Sequence, residues 1–445
     1  MKHVVLLGLL LWGYLGAATR SVEAQGPPPF DEYRAWAAEH AIGIDNLGFD
    51  TGLSDLAALG SVVGDARVVG FSEPFHGAHE PLALRNRLLE YLVTELGFTA
   101  IALETGLSPS KLLYDYVLGG PGEAGALARE AFSARFGLFQ ENVDLLEWLR
   151  AYNQTVPSSR AVRLYGVDLT GHEISCACRS LEAVIEFLRE TSLPGAAPVR
   201  EAVEEVIPLF RFDVYPELTS VQKDQITVTI DRLLAYLDHD RADLVALVGV
   251  DNYAWSRRQA VAAHQDNAFL RYLEDPWALR EAGMADNLRW VLDREGPTGR
   301  VMFFANNTHT GSHRFSLGRD LPSDWPTKGL ASAGFLLRRE LGSDLVTIGT
   351  YFGEGVGDFW FMGGGQPFPQ DDGGIDALLG SISFPTYLID LRALPASGRL
   401  GTWMRMEHET RLFNRYHLRF APADAFDAIL YINRLTPATR VAEDP

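Results

Sequence analysis

Short apolar runs that stop abruptly in acids and imidazoles recur along this chain. Ala66 to Phe71 predicts a buried strand, and the residues that follow are Ser72-Glu73-Pro74-Phe75-His76-Gly77-Ala78-His79-Glu80. Thr99 to Leu103 predicts a second strand, ending at Glu104, and Val162 to Val167 a third, ending at Asp168. Val301 to Ala305 predicts a fourth, which ends in Asn306-Asn307-Thr308-His309. In open α/β sheets the loops that follow the strands carry the chemistry. Several sheet termini are therefore expected to deliver Glu, His, Glu and His to one edge.

Between these runs the apolar period lengthens to that of a helix. Phe30, Tyr33, Trp36, Ala37 and Ile42 fall near one stripe, and so do Leu82, Leu88, Leu89, Leu92 and Leu96. Helices are expected over Phe30–Ile42, Leu53–Gly60, Glu80–Leu96, Ser108–Leu118 and Glu141–Tyr152, with Gly119-Gly120-Pro121-Gly122 as a break. From Leu181 to about Leu292 the pattern is almost wholly helical, interrupted by Pro194, Pro198, Pro208 and Pro216. Strand character returns at Leu345–Phe352 and Ala428–Ile432, and the Gly-rich stretch Gly353–Gly374 reads as a long loop bordering a pocket. Strands alternating with helices predict an α/β fold with a largely parallel central sheet flanked by helices. The stretch at about 181–292 would be a helical insert or cap.

Composition narrows the function classes. The chain has 445 residues, 47% of them hydrophobic, which suits one large core or a core with an insert. Its formal charge of −19 argues against a nucleic-acid partner and against an anionic membrane surface. A neutral or cationic small molecule fits better. The N-terminus reads as a secretory signal: Lys2 and His3 precede the apolar run Val4–Ala18, and Val22-Glu23-Ala24 suits cleavage near Ala24–Gln25. Residues 1–24 are expected to be a signal peptide and 25–445 the mature domain. That protein would be exported, periplasmic or secreted, with no stable membrane association after cleavage; an uncleaved anchor is the alternative. Only Cys176 and Cys178 are present. So close a pair rarely closes without strain, so both are expected as thiols.

Four residues suit acid–base work together: Glu73, His76, Glu104 and His309. An imidazole near neutrality is a natural general base for water, and a carboxylate beside it orients the ring. Arg85 and Arg280 are candidates for electrostatic support or for contact with substrate. Blander readings exist for each: Glu104 as a helix cap, His309 as turn chemistry, Asp168 as a partner of loop backbone. His79, His172, His264 and His313 are expected at the surface or behind the site. The same His and Glu residues would also serve a metal, although His-Glu-x-x-His is absent. Ser72 sits in Gly70-Phe71-Ser72-Glu73-Pro74, which begins like a nucleophile elbow but has Pro in place of the last Gly. There is no Walker loop and no dinucleotide-binding glycine pattern.

These motifs resemble those of the erythromycin esterase family. Glu73, His76, Gly77 and Glu80 fit its Gly-Glu-x-x-His-Gly-x-x-Glu pattern, and Ala102-Leu103-Glu104-Thr105 and Tyr165-Gly166-Val167-Asp168 resemble two further segments. Arg280-Glu281-Ala282-Gly283-Met284-Ala285-Asp286-Asn287 is similar to the family's Arg-x-x-x-Met-Ala-x-Asn. Gly349–Gly355 and Phe426–Ile432 continue the likeness, which runs from about residue 50 onward. The resemblance implies an α/β core with a helical portion and a cleft above the sheet. It also implies hydrolysis of the lactone ester of macrolide antibiotics, and so antibiotic resistance, by a water that His76 activates, with Glu73 and Glu104 flanking and no metal or other cofactor. Two departures stand out. Ser72 and Phe75 replace a Gly and a small hydroxyl residue, and Asn306 stands where the family often has the first of two histidines. Asn cannot carry a proton at neutral pH, though it can support an oxyanion. Macrolides as such are therefore less firmly implied than a small-molecule ester or lactone. The competing expectations are an exported metal- or haem-binding protein built on the same cluster, and a hydrolase with Ser72 as nucleophile. Oligomeric state is not indicated.

Overall fold

The computed structural model describes residues 26–49, 51–169, 177–191, 193–272, 276–318, 330–358, 365, 367–369, 373–412 and 416–441. The expected signal segment, His172 and Cys176 lie outside the described residues. The fold is mixed α/β around a nine-stranded, mostly parallel sheet. Its main strands are β1 (Val68–Glu73), β2 (Ala100–Gly106), β3 (Arg163–Asp168), β4 (Val301–Asn306), β5 (Leu345–Val356), β6 (Thr386–Asp390) and β7 (Ala428–Leu435). Across the sheet the order is Ile42–Gly43, β6, β7, β5, β1, β4, β2, β3. The six strands from β7 to β3 run parallel, while β6 and Ile42–Gly43 are antiparallel. Strand β4 arrives late in the chain and inserts between β1 and β2. Such a break in strand order opens a crevice at the carboxyl ends of the strands.

Alternation along the strands builds two cores. Val69, Phe71, Ile101, Leu103, Met302 and Phe304 face a layer that includes α1 (His79–Thr94) and α2 (Gln140–Thr155). Val68, Ala100, Ala102, Val301, Phe303 and Ala305 face the other way, against α3 (Pro276–Glu295) and the helix Ala333–Leu341. Burial on both faces explains why these strands read as continuous apolar runs. Between β3 and α3, the helices Arg179–Glu190, Ala196–Val206, Ser220–His239, Arg241–Val248 and Val250–Arg271 pack around a core of their own.

Several boundaries differ from the sequence reading. Strand β1 carries Glu73 within it and β4 carries Asn306, because these polar ends stay paired in the ladder. Strand β5 runs on to Val356 and pairs with Pro367–Phe368, so the start of the expected loop at 353–374 is sheet. The expected helix over Leu53–Gly60 is a 3-10 turn at Ser54–Leu56 followed by the helix Leu59–Val63. Sequence reading missed β6 and a second, antiparallel sheet of His408–Leu412, Tyr416–Phe420, Arg314–Leu317 and Leu330–Ala331. These strands are short and carry charged residues between the apolar ones. The expected thiols are also corrected: Cys178 is disulfide-bonded, and no cysteine among the described residues is free. No helix among the described residues is long and apolar enough to cross a membrane.

Candidate active site

Strand register assembles the site. Glu73 at the end of β1 lies opposite Asn306 at the end of β4. The ladder between β2 and β3 shifts after Leu103, where Gly106 comes to face Asp168. Glu104 thus leaves regular pairing and can turn its carboxylate toward its neighbours. Asn306 caps α4 (Asn307–Thr310), its Oδ1 accepting from Thr308 N at 3.1 Å and Thr308 Oγ1 at 3.0 Å. That short helix presents His309 within one turn of the strand.

After His76 the chain needs Gly77, which has φ +80°. A Cβ there would stand 2.4 Å from the Asp358 carbonyl oxygen. A distant stretch then clasps the loop. Ala438 N donates to Gly77 O at 2.9 Å, and Thr436 donates to Glu80 through N at 2.8 Å and Oγ1 at 2.7 Å. Thr439 N donates to Glu141 Oε1 at 3.0 Å, the same oxygen that meets His79 Nδ1 at 2.6 Å.

The four candidate catalytic residues do converge. His76 Nδ1 meets Glu73 Oε1 at 2.5 Å, and His76 Nε2 lies 3.9 Å from Glu104 Oε1. Glu104 is the hub. Its Oε1 receives Arg280 Nη2 at 2.9 Å and stands 3.2 Å from His309 Nε2, and its Oε2 accepts from Asn306 N at 2.8 Å. Arg280 reaches on to Asp168, with Nε to Oδ1 at 2.9 Å and Nη2 to Oδ2 at 2.6 Å. His309 Nδ1 meets Glu281 Oε1 at 2.5 Å, and Glu281 Oε2 accepts from Ala333 N at 2.7 Å. All of these side chains are buried.

Charge is divided unevenly among them. Burial would raise the Glu104 carboxyl, but His309, His76 and Arg280 outweigh it and hold this group well below its usual range. Burial would make His309 less basic, yet Glu281 and Glu104 push it up to about 10, so the ring is a cation at neutral pH. Arg280 is likewise held above its ordinary value: its burial is outweighed by the Asp168 charge and hydrogen bond, with Glu104 and Glu281 adding to them. Glu73 goes the other way. Burial raises it more than His76 lowers it.

The other expected residues take definite places. Arg85 pairs with no carboxylate among the described residues. It bonds to Asn142 Oδ1 at 2.7 Å, to Asn86 Oδ1 from two nitrogens at 3.0 and 2.6 Å, and to Glu141 O at 3.2 Å. Burial lowers it to about 10, which still leaves it charged at neutral pH. Arg85 lines a small cavity together with Glu73, Glu104 and Asn142. The rest of that wall is apolar: Leu82, Leu103, Phe132, Phe136, Phe139 and Phe304. Asn306 points its amide nitrogen at Pro74 O, 3.4 Å away. Ser72 is fully buried, and its hydroxyl donates to Ile348 O at 2.7 Å, so it is a strand-to-strand strut.

Two expectations about lesser residues are corrected, and one residue is added. Asp168 bonds to loop backbone at Leu169 N, but it is chiefly the bidentate partner of Arg280. Of the two places expected for His313, the surface is excluded: it is buried among Phe315, Phe420 and Phe426, and burial lowers it to about 3. Glu281 was not singled out at all, because a charged residue on a helix reads as a solvated face; its position beside Arg280 was the available signal. His264 is half exposed, as expected. Among the described residues no three His, Cys, Asp or Glu side chains are grouped to hold a metal ion.

An α/β sheet with a buried imidazole–carboxylate cluster at its carboxyl edge defines a class of protein that works on small molecules in a crevice. The particular family follows from sequence. The erythromycin esterase family model matches residues 93–435, and the chain belongs to that family, one of hydrolases. Erythromycin esterase type II from Escherichia coli is 22% identical over 280 residues, which covers 58% of this chain and 64% of that protein. The crystal structure of a Bacillus cereus protein superposes with a TM-score of 0.78 at 24% identity, covering 94% of this chain and 100% of the other. A mutant erythromycin esterase solved in its open conformation gives a TM-score of 0.67 at 17% identity, covering 88% and 96% of the two chains.

Proposed function

We propose that this protein is an exported hydrolase that cleaves an ester or lactone with a water activated by His76, without a metal ion. The observation that carries the reading is the contact of His76 Nδ1 with Glu73 while its Nε2 faces Glu104 across 3.9 Å. A carboxylate accepts only, so Glu73 draws the ring proton to Nδ1 and leaves Nε2 with its lone pair. A gap of this length between two polar atoms suits a bridging water.

Nε2 takes a proton from that water as its oxygen bonds to the acyl carbon. The acyl carbon–oxygen bond then breaks, and His76 returns the proton to the departing oxygen. His309 and Arg280 bring positive charge close to the place where negative charge develops. Arg280 already sits on Glu104 and Asp168, so these acids have a cation supplied by the protein. This is the support for metal independence. Export rests on the N-terminal sequence, and the ester or lactone substrate class on membership of the family.

The test is an ester and lactone screen on the mature protein, with and without chelator, beside His76→Ala. Hydrolysis that survives chelator and disappears in the variant supports the reading. Hydrolysis that His76→Ala retains overturns the role of His76, and loss with chelator overturns the metal-free step.

A further inference from the structure

The two imidazoles of the site are placed almost as counterparts. Each turns Nδ1 to an acid of its own at 2.5 Å, His76 to Glu73 and His309 to Glu281. Each turns Nε2 toward the same oxygen, Glu104 Oε1, at 3.9 Å and 3.2 Å respectively. Two equivalent rings cannot divide the work of base and cation between them. Their backing acids, however, are held differently. Glu73 Oε2 is buried without a hydrogen-bond partner, and burial raises this carboxyl. Glu281 Oε2 accepts from Ala333 N at 2.7 Å, at the first residue of the helix Ala333–Leu341. A backbone N–H only donates, and at a helix N-terminus it carries the positive end of the helix dipole. That end favours negative charge on the side chain it meets.

His309 thus lies between two acids, Glu281 from α3 on one nitrogen and Glu104 from β2 near the other. A ring in that position serves both acceptors only with a proton on each nitrogen, as imidazolium. Among the described residues, the other charged or titratable groups around it are Arg280 and, across Glu104, His76. Arg280 opposes a cation on His309, while Glu281 and Glu104 favour one. We propose that Glu281 is a positioning residue: by holding the charge on His309 it makes the two imidazoles unequal, so that His309 supplies fixed positive charge and His76 moves the proton. The proposal rests on the hydrolase reading for the part of His76, and not for the charge on His309.

The test is NMR of the mature protein isotope-labelled at the histidine ring nitrogens, with His309 assigned by the signals that His309→Gln removes. Both His309 nitrogens are expected to stay protonated beyond about pH 8. Glu281→Gln is expected to lower the midpoint of that titration by about one pH unit or more, a tenfold change in proton affinity. Ala333→Pro removes the donor to Glu281 and keeps its carboxylate, so the midpoint should move the same way by less. Proline suits the first position of a helix, and Ser332 before it is already extended, with φ −71° and ψ 162°. In turnover, Glu281→Gln is expected to lose about tenfold against the unaltered protein at pH 9 and little at pH 6, where an ordinary imidazole is protonated unaided. A merely structural role would lower both alike. A neutral His309 at pH 8 in the unaltered protein, a midpoint unmoved in Glu281→Gln, or equal losses of turnover at the two pH values overturns the proposal. Should Glu281→Gln not fold, Ala333→Pro decides, and an unmoved midpoint there overturns it. The expected titrations in a protein that hydrolyses no ester would leave the role of Glu281 standing and remove the hydrolase reading; hydrolysis with an unmoved midpoint would do the reverse.

Discussion

His309 Nε2 stands 3.2 Å from Glu104 Oε1, which makes this imidazole an ion-pair partner, so that the proposed role of base falls to His76. His309 is pushed up to about 10, above the value of about 6.5 expected for the unfolded chain. A group raised in this way stabilises the fold fully below about pH 6.5 and loses that contribution as pH rises toward 10. Denaturant titrations from pH 6 to pH 10.5 are expected to show falling stability, and His309→Gln to flatten that fall. On the acid side Glu104 works in the opposite sense, stabilising above its ordinary range and losing this as pH drops through its depressed value. An alkaline limb equally steep in both proteins would remove His309 as its source.

Arg280 is the second prediction. It neutralises Glu104 and Asp168 in a buried setting. Arg280→Met leaves Asp168 without its cation and Glu104 with the imidazoles alone, and is expected to cost about 3–5 kcal/mol of stability, as breaking a buried pair does. Arg280→Lys keeps the charge and loses the fork, so it should cost less while still lowering turnover. Urea unfolding of the three proteins checks the order, and equal stability of Arg280→Met would contradict the hub.

Glu73→Gln probes the orientation of His76. The amide offers Nδ1 a neutral oxygen in place of a carboxylate, and it can also turn its NH₂ toward the ring and stabilise the wrong tautomer. Turnover is expected to fall by about 10²–10⁴-fold with little change in KM. A loss confined to KM would move Glu73 from orienting the base to holding substrate.

Ser72→Ala separates the serine reading from the water reading. The Ser72 hydroxyl is buried and given to the Ile348 carbonyl. The substitution is expected to leave turnover unchanged and to cost about 1 kcal/mol of stability for the lost hydrogen bond. Labelling of Ser72 by a serine-directed phosphonate would reinstate it as a nucleophile.

The frame of the fold was legible because its central strands are buried on both faces and stand out as apolar runs. The acids and imidazoles ending those runs were legible for the same reason: a polar residue straight after such a run is conspicuous. What escaped detection lay where context decides. Glu281, next to Arg280 on α3, looks like part of an ordinary charged face until β4 brings His309 against it. Asp168 reads as a loop residue until Arg280, 112 positions away, finds it. The strands His408–Leu412 and Tyr416–Phe420 place charged and polar residues at buried positions as well as outer ones, so their alternation was too weak to see.

The clasp on the His76 loop bears on how the enzyme matures. Thr436 and Glu80 are 356 positions apart, yet their two hydrogen bonds fasten the turn just beyond the imidazole. A polypeptide still emerging from the ribosome can fold much of the sheet before that fastener has been synthesised. Contacts of such long sequence separation form late and close slowly. The nascent protein is thus expected to stay inert until its synthesis is nearly finished, and fragments ending before residue 436 to be folded in part but inactive.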